Sequence, residues 1–148
     1  MRKALLMSFL LVLATSSLAN DSMSADQQAV WDVVAASWVA ESSEDDSWPA
    51  DFVHESGYGW TAEWPGLRDA DSIAAWSRFG QERRETLNYQ LFPHGVVVEG
   101  DTAVAFYSFV QVVEMGDETE RESSGLVETL IRTEDGWKFL ALTGFDHD

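Results

Sequence analysis

The chain has 148 residues, with 26 acidic side chains against 9 Lys and Arg, a net charge of -17, 45% hydrophobic residues and no cysteine. Length and apolar content favour one domain with a real core. The missing cysteines exclude disulfides, thiolate metal sites and a cysteine nucleophile. The acid excess argues against nucleic-acid binding, because phosphate contacts need clustered Lys and Arg. Cationic or neutral partners suit this charge, and simple solubility explains it equally well.

Residues 1–19 have the order of a secretory signal peptide. Arg2 and Lys3 precede an apolar run over residues 4–13, and small residues lead to a cleavage site after Ala19. The alternative is a membrane anchor, but the run is shorter than the roughly 20 residues that a spanning helix needs. We therefore predict an exported protein, periplasmic or secreted, with no membrane attachment after cleavage. Residues 20–148 form its single domain.

Two helices are predicted in the first half of the chain. Ser24 and Gln27 have the spacing of a capping box, and the apolar periodicity that follows predicts a helix over residues 25–42. A second helix is predicted from near residue 69 or 71 to about residue 84, with Ile73, Trp76 and Phe79 facing inward.

The last sixty residues predict antiparallel strands joined by tight turns. Gly100-Asp101, Gly116-Asp117 and Asp135-Gly136 are the turn signals. Helices followed by such strands indicate an α+β domain. If each loop has two residues, the predicted opposite pairs are Glu99 with Thr102, Met115 with Glu118, and Glu134 with Trp137.

These pairings place a candidate catalytic group on one face of the sheet. Tyr107, Glu128 and His94 share that face, and Glu128 lies between Ala105 and Thr143. A carboxyl group in such apolar surroundings should have a raised pKa and could transfer protons near neutral pH, with Tyr107 or His94 donating to a developing enolate oxygen. In the structural alternative, Glu128 pairs with Arg68, Arg132 or a histidine, or it lies near the open rim of the sheet.

The remaining candidates are aromatic residues and a loop histidine that could contact a ligand. His54 could line a pocket mouth, or it could bond to backbone in its loop. The three histidines lack the spacing of a metal motif, and no nucleotide-binding motif occurs, so we predict neither metal nor cofactor. The other sheet face is also mainly apolar, which a second subunit could cover. The predicted ligand-binding residues are Trp38, His54, Tyr58, Trp60 and Trp64.

The order of these features resembles the nuclear transport factor 2-like superfamily, in particular its SnoaL-like bacterial members. After the long first helix, the resemblance rests on DFVH at 51–54, GW at 59–60, PG at 65–66, YQLFP at 89–93, GDTAVA at 100–105 and DGWK at 135–138. It implies a cone-shaped α+β roll, in which N-terminal helices pack on a strongly curved, mostly antiparallel sheet around a cavity. It also implies a homodimer. No catalytic residue is carried over, because the isomerase and cyclase catalytic residues have no matched positions here.

Three functions follow as hypotheses. The first is an exported binding domain whose apolar pocket takes a small hydrophobic organic molecule. The second is a cofactor-free isomerase, cyclase or dehydratase that uses Glu128 for proton transfer. The third is a structural dimerisation module, because the superfamily includes binding and assembly domains as well as enzymes and its fold does not choose among them.

Overall fold

The computed structural model describes residues 22–43, 45–61 and 66–146, so the predicted signal peptide and Trp64 lie outside the described residues. Helices α1 (Ala25–Ser42) and α2 (Ala70–Gln81) pack on one sheet of six strands, which confirms the α+β prediction. No helix in the described ranges is long and apolar enough to cross a membrane. The strands are β1 (Val53–Thr61), β2 (Arg68–Asp69), β3 (Glu85–Glu99), β4 (Thr102–Met115), β5 (Glu118–Thr133) and β6 (Gly136–Asp146).

The sheet is mostly antiparallel, with the strand order β2-β1-β6-β5-β4-β3. Only the pairing of β1 with β6 is parallel among the described strands. One face, which we call the inner face, is covered by the helices. The opposite side is the outer face.

Helix α1 begins at the predicted capping box. The Ser24 hydroxyl accepts a hydrogen bond from the Gln27 amide, and the Gln27 side chain accepts one from the Ser24 amide. Val30 and Val34 are fully buried, and Trp38 packs against the core that they form with the sheet. The helix has the predicted bounds because its start signal and its apolar stripe are both local in sequence.

Strand β4 supplies the centre of the inner face. Ala103, Ala105 and Tyr107 alternate along it and are at most 2% exposed. The two hairpins that flank β4 have the predicted two-residue loops, so Glu99 pairs with Thr102 and Met115 with Glu118. Their first loop residues, Gly100 and Gly116, have positive φ, which glycine adopts without steric cost.

The predicted register of the last hairpin is wrong by one residue. Thr133, not Glu134, begins the turn and pairs with Gly136, because its hydroxyl accepts from the Asp135 amide and donates to the Gly136 carbonyl. A further register shift follows after Leu130. Glu128 therefore lies between Ala105 and Leu142, rather than between Ala105 and Thr143.

Helix α2 forms as predicted but packs differently. Ile73 is buried as predicted, whereas Phe79 is 47% exposed, so its predicted inward orientation is wrong. Trp76 is 51% exposed but also lines the cavity between the helices and the sheet. Guanidinium groups cover the two rings instead. Arg68 lies 4.0 Å from the centre of Trp76, and Arg83 lies 3.7 Å from the centre of Phe79.

Strand β1 divides its residues between the two faces. Gly57 and Gly59 are buried on the inner face, where a Cβ on Gly57 would come within 2.8 Å of the His54 carbonyl oxygen. Tyr58 and Trp60 pair with Ala141 and Thr143 of β6 and point to the outer face.

Candidate functional site

A pocket of about 410 Å³ opens between the helices and the inner face of the sheet. Its volume is in the range of small-molecule sites. Helix α1, helix α2 and strands β4, β5 and β6 each contribute to its wall. Aromatic and apolar side chains share this wall with polar and charged side chains from both helices and from β4, β5 and β6. The side chains that line it include Ser37, Trp38, Glu41, Ser42, Trp48, Arg68, Trp76, Ser77, Gln81, Arg84, Tyr107, Phe109, Gln111, Glu128 and Leu142.

Glu128 lies on this wall because its strand brings it to the inner face next to Ala105, whose small side chain leaves space. It is 5% exposed, and its Oε2 accepts a hydrogen bond from the Tyr107 hydroxyl at 2.9 Å. Burial raises the pKa of Glu128 to about 8. The Tyr107 hydrogen bond acts against that rise, and the negative charge of Glu41 adds to it. The carboxyl group therefore carries its proton at neutral pH for most of the time.

Tyr107 connects Glu128 to helix α1. Its hydroxyl donates to Glu128 and accepts from Trp38 Nε1 at 3.0 Å, so Trp38, Tyr107 and Glu128 form a continuous chain of hydrogen bonds. Burial, and next the charge of Glu128, raise the pKa of Tyr107 above its ordinary value, which keeps the phenol protonated. The edge of Tyr107 also contacts Trp31, with ring centres 5.6 Å apart. In this geometry the Tyr107 hydroxyl donates its proton to Glu128, and not to an enolate oxygen of a ligand, which was the predicted role.

A second carboxyl group, Glu41, lies on the wall near the end of α1. Desolvation raises its pKa and the charge of Arg84 lowers it. Glu41 is exposed to solvent, so we expect a smaller effect on it than on Glu128. Arg84 is itself held by Glu122, whose Oε2 is 2.5 Å from Arg84 Nη2 and also accepts from Gln111 at 2.9 Å.

The wall from α2 and from the turn that follows α1 carries polar groups without hydrogen-bond partners among the described residues. Ser77 Oγ, Gln81 Nε2 and Trp48 Nε1 are buried and make no hydrogen bond within the described part of the chain. Ser77 and Gln81 are one helical turn apart, so they share a face with Ile73. This stripe lines the pocket together with the predicted Trp76, whereas the predicted Phe79 does not.

His94 does not reach the pocket, so its predicted place beside Tyr107 is wrong. The register of β3 shifts between Pro93 and Gly95, and His94 occupies that irregularity. Its ring is exposed, and its Nε2 lies 3.0 Å from Ser108 Oγ. Ser108 follows Tyr107 in β4 and therefore faces the outer side.

The structure brings together only part of the predicted ligand-binding set. Trp38 lines the pocket, while Tyr58 and Trp60 lie on the outer face, 49% and 46% exposed. His54 lines a separate depression of about 490 Å³ beside Lys138, and its Nδ1 accepts from the Ser56 amide. The binding role of each of these residues stays a prediction. No cluster of metal-ligating side chains occurs among the residues that the structure describes.

Four residues line the pocket without having been predicted from the sequence, namely Glu41, Ser77, Gln81 and Arg84. A signal for Glu41 exists, because it follows Val34 by seven positions and so continues the arc of α1 that contains Trp38. Ser77 and Gln81 likewise follow Ile73 at four-residue spacing. No local pattern indicates Arg84, which reaches the pocket from the connection between α2 and β3.

Several solved structures share this fold at low sequence identity. A ketosteroid isomerase-like protein from Erwinia carotovora atroseptica has a TM-score of 0.75 and 11% identity, over 85% of this chain and 99% of that one. An NTF2-like protein from Novosphingobium aromaticivorans has a TM-score of 0.65 and 20% identity, over 83% of this chain and 82% of that one. The CaMKII hub of S. rosetta has a TM-score of 0.67 and 17% identity, over 85% of this chain and 100% of that one. At these identities the likeness shows the fold alone.

The family is shown by the sequence itself. No curated protein matches the chain at a significant level. A sequence model of the SnoaL-like domain matches residues 22–143, which include both helices and nearly all of the sheet. Together with the NTF2-like fold, this match shows that the chain belongs to the SnoaL-like domain family.

Proposed function

We propose that this chain is a binding domain whose inner pocket takes a small, largely apolar organic molecule. The observation that carries the proposal is the pocket of about 410 Å³ between the helices and the sheet, walled by Trp38, Trp48 and Phe109. Buried aromatic walls with a few convergent polar groups are typical of ligand sites. Export of the protein is part of the proposal and depends on the residue order of the first 19 positions.

Ser42→Trp should block this pocket. Ser42 ends α1 and lines the pocket, so an indole there would fill the space without disturbing the core. We expect binding of the neutral dye Nile red to weaken at least about tenfold, as expected when a bulky group occupies a ligand's volume. Ser43→Trp is the matched control, because the adjacent Ser43 is exposed and lies outside the pocket lining.

Dye fluorescence would measure this effect, and native mass spectrometry of the wild-type protein would look for a co-purifying molecule. Equal dye binding by the wild type and both tryptophan variants would contradict the pocket proposal. Thermal unfolding of each variant would show that the fold is retained.

A second function, proton transfer by Glu128, is favoured by a specific observation. The Glu128 carboxyl is buried on the pocket wall, bonded to Tyr107 at 2.9 Å, and has its pKa raised to about 8. A group with a pKa near the working pH can both give and take a proton. The corresponding activity is that of a cofactor-free isomerase, cyclase or dehydratase.

Glu128→Gln tests this second function, because it preserves shape and removes the titrating proton. In deuterated buffer, we expect the wild type to exchange an acidic C–H of its co-purifying molecule at least about a hundredfold faster than the variant does. Both proteins should bind Nile red alike. Mass spectrometry of the ligand reads the exchange. Equal exchange rates in the two proteins, or no exchange in either, would contradict proton transfer by Glu128 and leave ligand binding as the proposed function.

We also propose a homodimer formed through the outer face. Trp60, Phe106, Val97 and Phe145 are each 40% exposed or more, and their strand pairings put them all on that face. Contiguous exposed apolar surface of this kind commonly marks an interface.

Phe106→Lys should convert this dimer to a monomer. A lysine at the centre of an apolar interface leaves a charge unpaired, which costs several kcal/mol, roughly a thousandfold in association. Light scattering after size-exclusion chromatography would measure the mass. Val39→Lys is the control, because Val39 is also an exposed apolar residue, at 56%, but lies on α1. A monomeric wild type would rule the proposal out.

A further inference from the structure

The pocket wall has the composition of a site for organic cations. Trp38, Trp48, Trp76, Tyr107 and Phe109 all line it. Trp38 and Phe109 meet at 4.7 Å between ring centres and 49° between planes, so they form a corner. The faces of such rings attract cations. The structure already contains an example at this wall, because the Arg68 guanidinium carbon lies 4.0 Å from the centre of the Trp76 ring.

Two carboxyl groups from different elements face the same pocket. Glu41 comes from α1 and Glu128 from β5, and the charge of Glu41 opposes the ionisation of Glu128. Neither carboxyl makes an ion pair with a residue in the described part of the chain. A cation placed between them would favour the ionised form of both.

The arginines of the pocket are engaged with other groups. Arg84 is bonded to Glu122, which balances its charge, and Arg68 stacks on Trp76. The phenol of Tyr107 is the other titratable group that faces the site, and it stays protonated. Neither arginine thus forms an ion pair with Glu41 or Glu128, although the charge of Arg84 lowers the pKa of Glu41. At longer range the net charge of -17 attracts cations to the protein and repels anions.

We propose that the ligand of this pocket is an organic cation, namely an ammonium group on an apolar body, held by Glu128, Glu41 and the aromatic wall. This inference rests on the proposed binding function and names the ligand class. An apolar body would fill the space beside Phe109 and Leu142. The charge would take the position next to the two carboxyl groups. Binding would release protons from them, so the affinity would increase with pH.

A pair of probes with the same shape tests the inference. Benzyltrimethylammonium carries a permanent charge, and neopentylbenzene is its neutral carbon analogue. With the purified full-length protein, we expect the cation to bind more tightly, by about tenfold at pH 8.5. Its affinity should rise about tenfold between pH 6.5 and 8.5, because one released proton gives up to a tenfold change per pH unit. Calorimetry in buffers of different ionisation enthalpy would count the protons.

Glu128→Gln should remove most of the charge preference and most of the pH dependence while neopentylbenzene still binds. Glu41→Gln should remove part of the preference. Glu118→Gln, at the exposed start of β5, removes the same charge elsewhere and should change neither. If the neutral probe binds as tightly as the cation, or the cation's affinity does not change with pH, the inference is wrong and the binding function stands. If neither probe nor Nile red binds, the organic-cation inference and the proposed binding function are both wrong.

Discussion

Glu128→Gln is expected to make the protein more stable above pH 8 and to leave its stability nearly unchanged at pH 4. The carboxyl has its ordinary pKa near 4.5 in the unfolded chain and a pKa of about 8 in the folded one. Between these values the folded state binds the additional proton, so the free energy of unfolding of the wild type decreases as the pH rises from about 4.5 to 8. Above pH 8 the carboxyl is ionised in both states, and its burial lowers the free energy of unfolding of the wild type by the full amount. A neutral glutamine has no such effect.

The expected difference at pH 9 is on the order of a few kcal/mol, because each unit of pKa shift corresponds to about 1.4 kcal/mol. Chemical denaturation at pH 4, 7 and 9, followed by tryptophan fluorescence, would measure it. Glu118→Gln is the control for loss of one negative charge and should run parallel to the wild type across this range. A wild type whose stability stays level from pH 5 to 8 would show that Glu128 is not desolvated in the fold.

Tyr107→Phe has the second large expected effect. It removes the hydrogen bonds to Glu128 and from Trp38, and leaves one buried acceptor and one part-buried donor without partners. Losses of this kind cost about 1–3 kcal/mol each. Because the Tyr107 hydrogen bond lowers the pKa of Glu128, we also expect that pKa to rise above its value of about 8 in the variant. Denaturation and a carbon-13 NMR titration of the Glu128 carboxyl would measure the two effects.

Tyr89→Phe is the matched control for this change. The Tyr89 ring also contacts Trp38, with ring centres 5.5 Å apart, but its hydroxyl makes no hydrogen bond within the described residues. The Tyr89 variant should therefore lose little stability and leave the titration of Glu128 in place. If both phenylalanine variants behave alike, the chain of hydrogen bonds through Tyr107 does not stabilise the fold.

Features encoded by adjacent residues could be predicted from the sequence. Helix α1 was predicted with its bounds because Ser24 and Gln27 contact each other directly. The hairpins at Gly100 and Gly116 were predicted because a two-residue loop fixes the register of both strands. The pairing of Glu128 with Ala105, at the centre of the candidate site, follows from the second of these loops.

Features that depend on distant partners could not be predicted. Strand β1 joins the sheet through a parallel pairing with β6, the last strand, and nothing near Tyr58 or Trp60 shows which way that pairing turns them. Gly57 fixes the orientation of the strand, because a Cβ at that position would come within 2.8 Å of the His54 carbonyl oxygen and of Val53. The predicted pairing of the last hairpin differs from the structure by one residue, because the Thr133 side chain stabilises a turn one residue earlier than the Asp-Gly signal suggests.

The irregularity at His94 interrupts one edge of the sheet. Strand β3 is the free edge of the sheet, and an edge of 15 residues offers backbone groups to which another chain can add by strand pairing. Here the run is broken twice, between Thr86 and Asn88 and between Pro93 and Gly95, and Pro93 has no N–H to offer. His94 thus lies in a segment that offers another chain fewer backbone groups for strand pairing than an unbroken edge strand would.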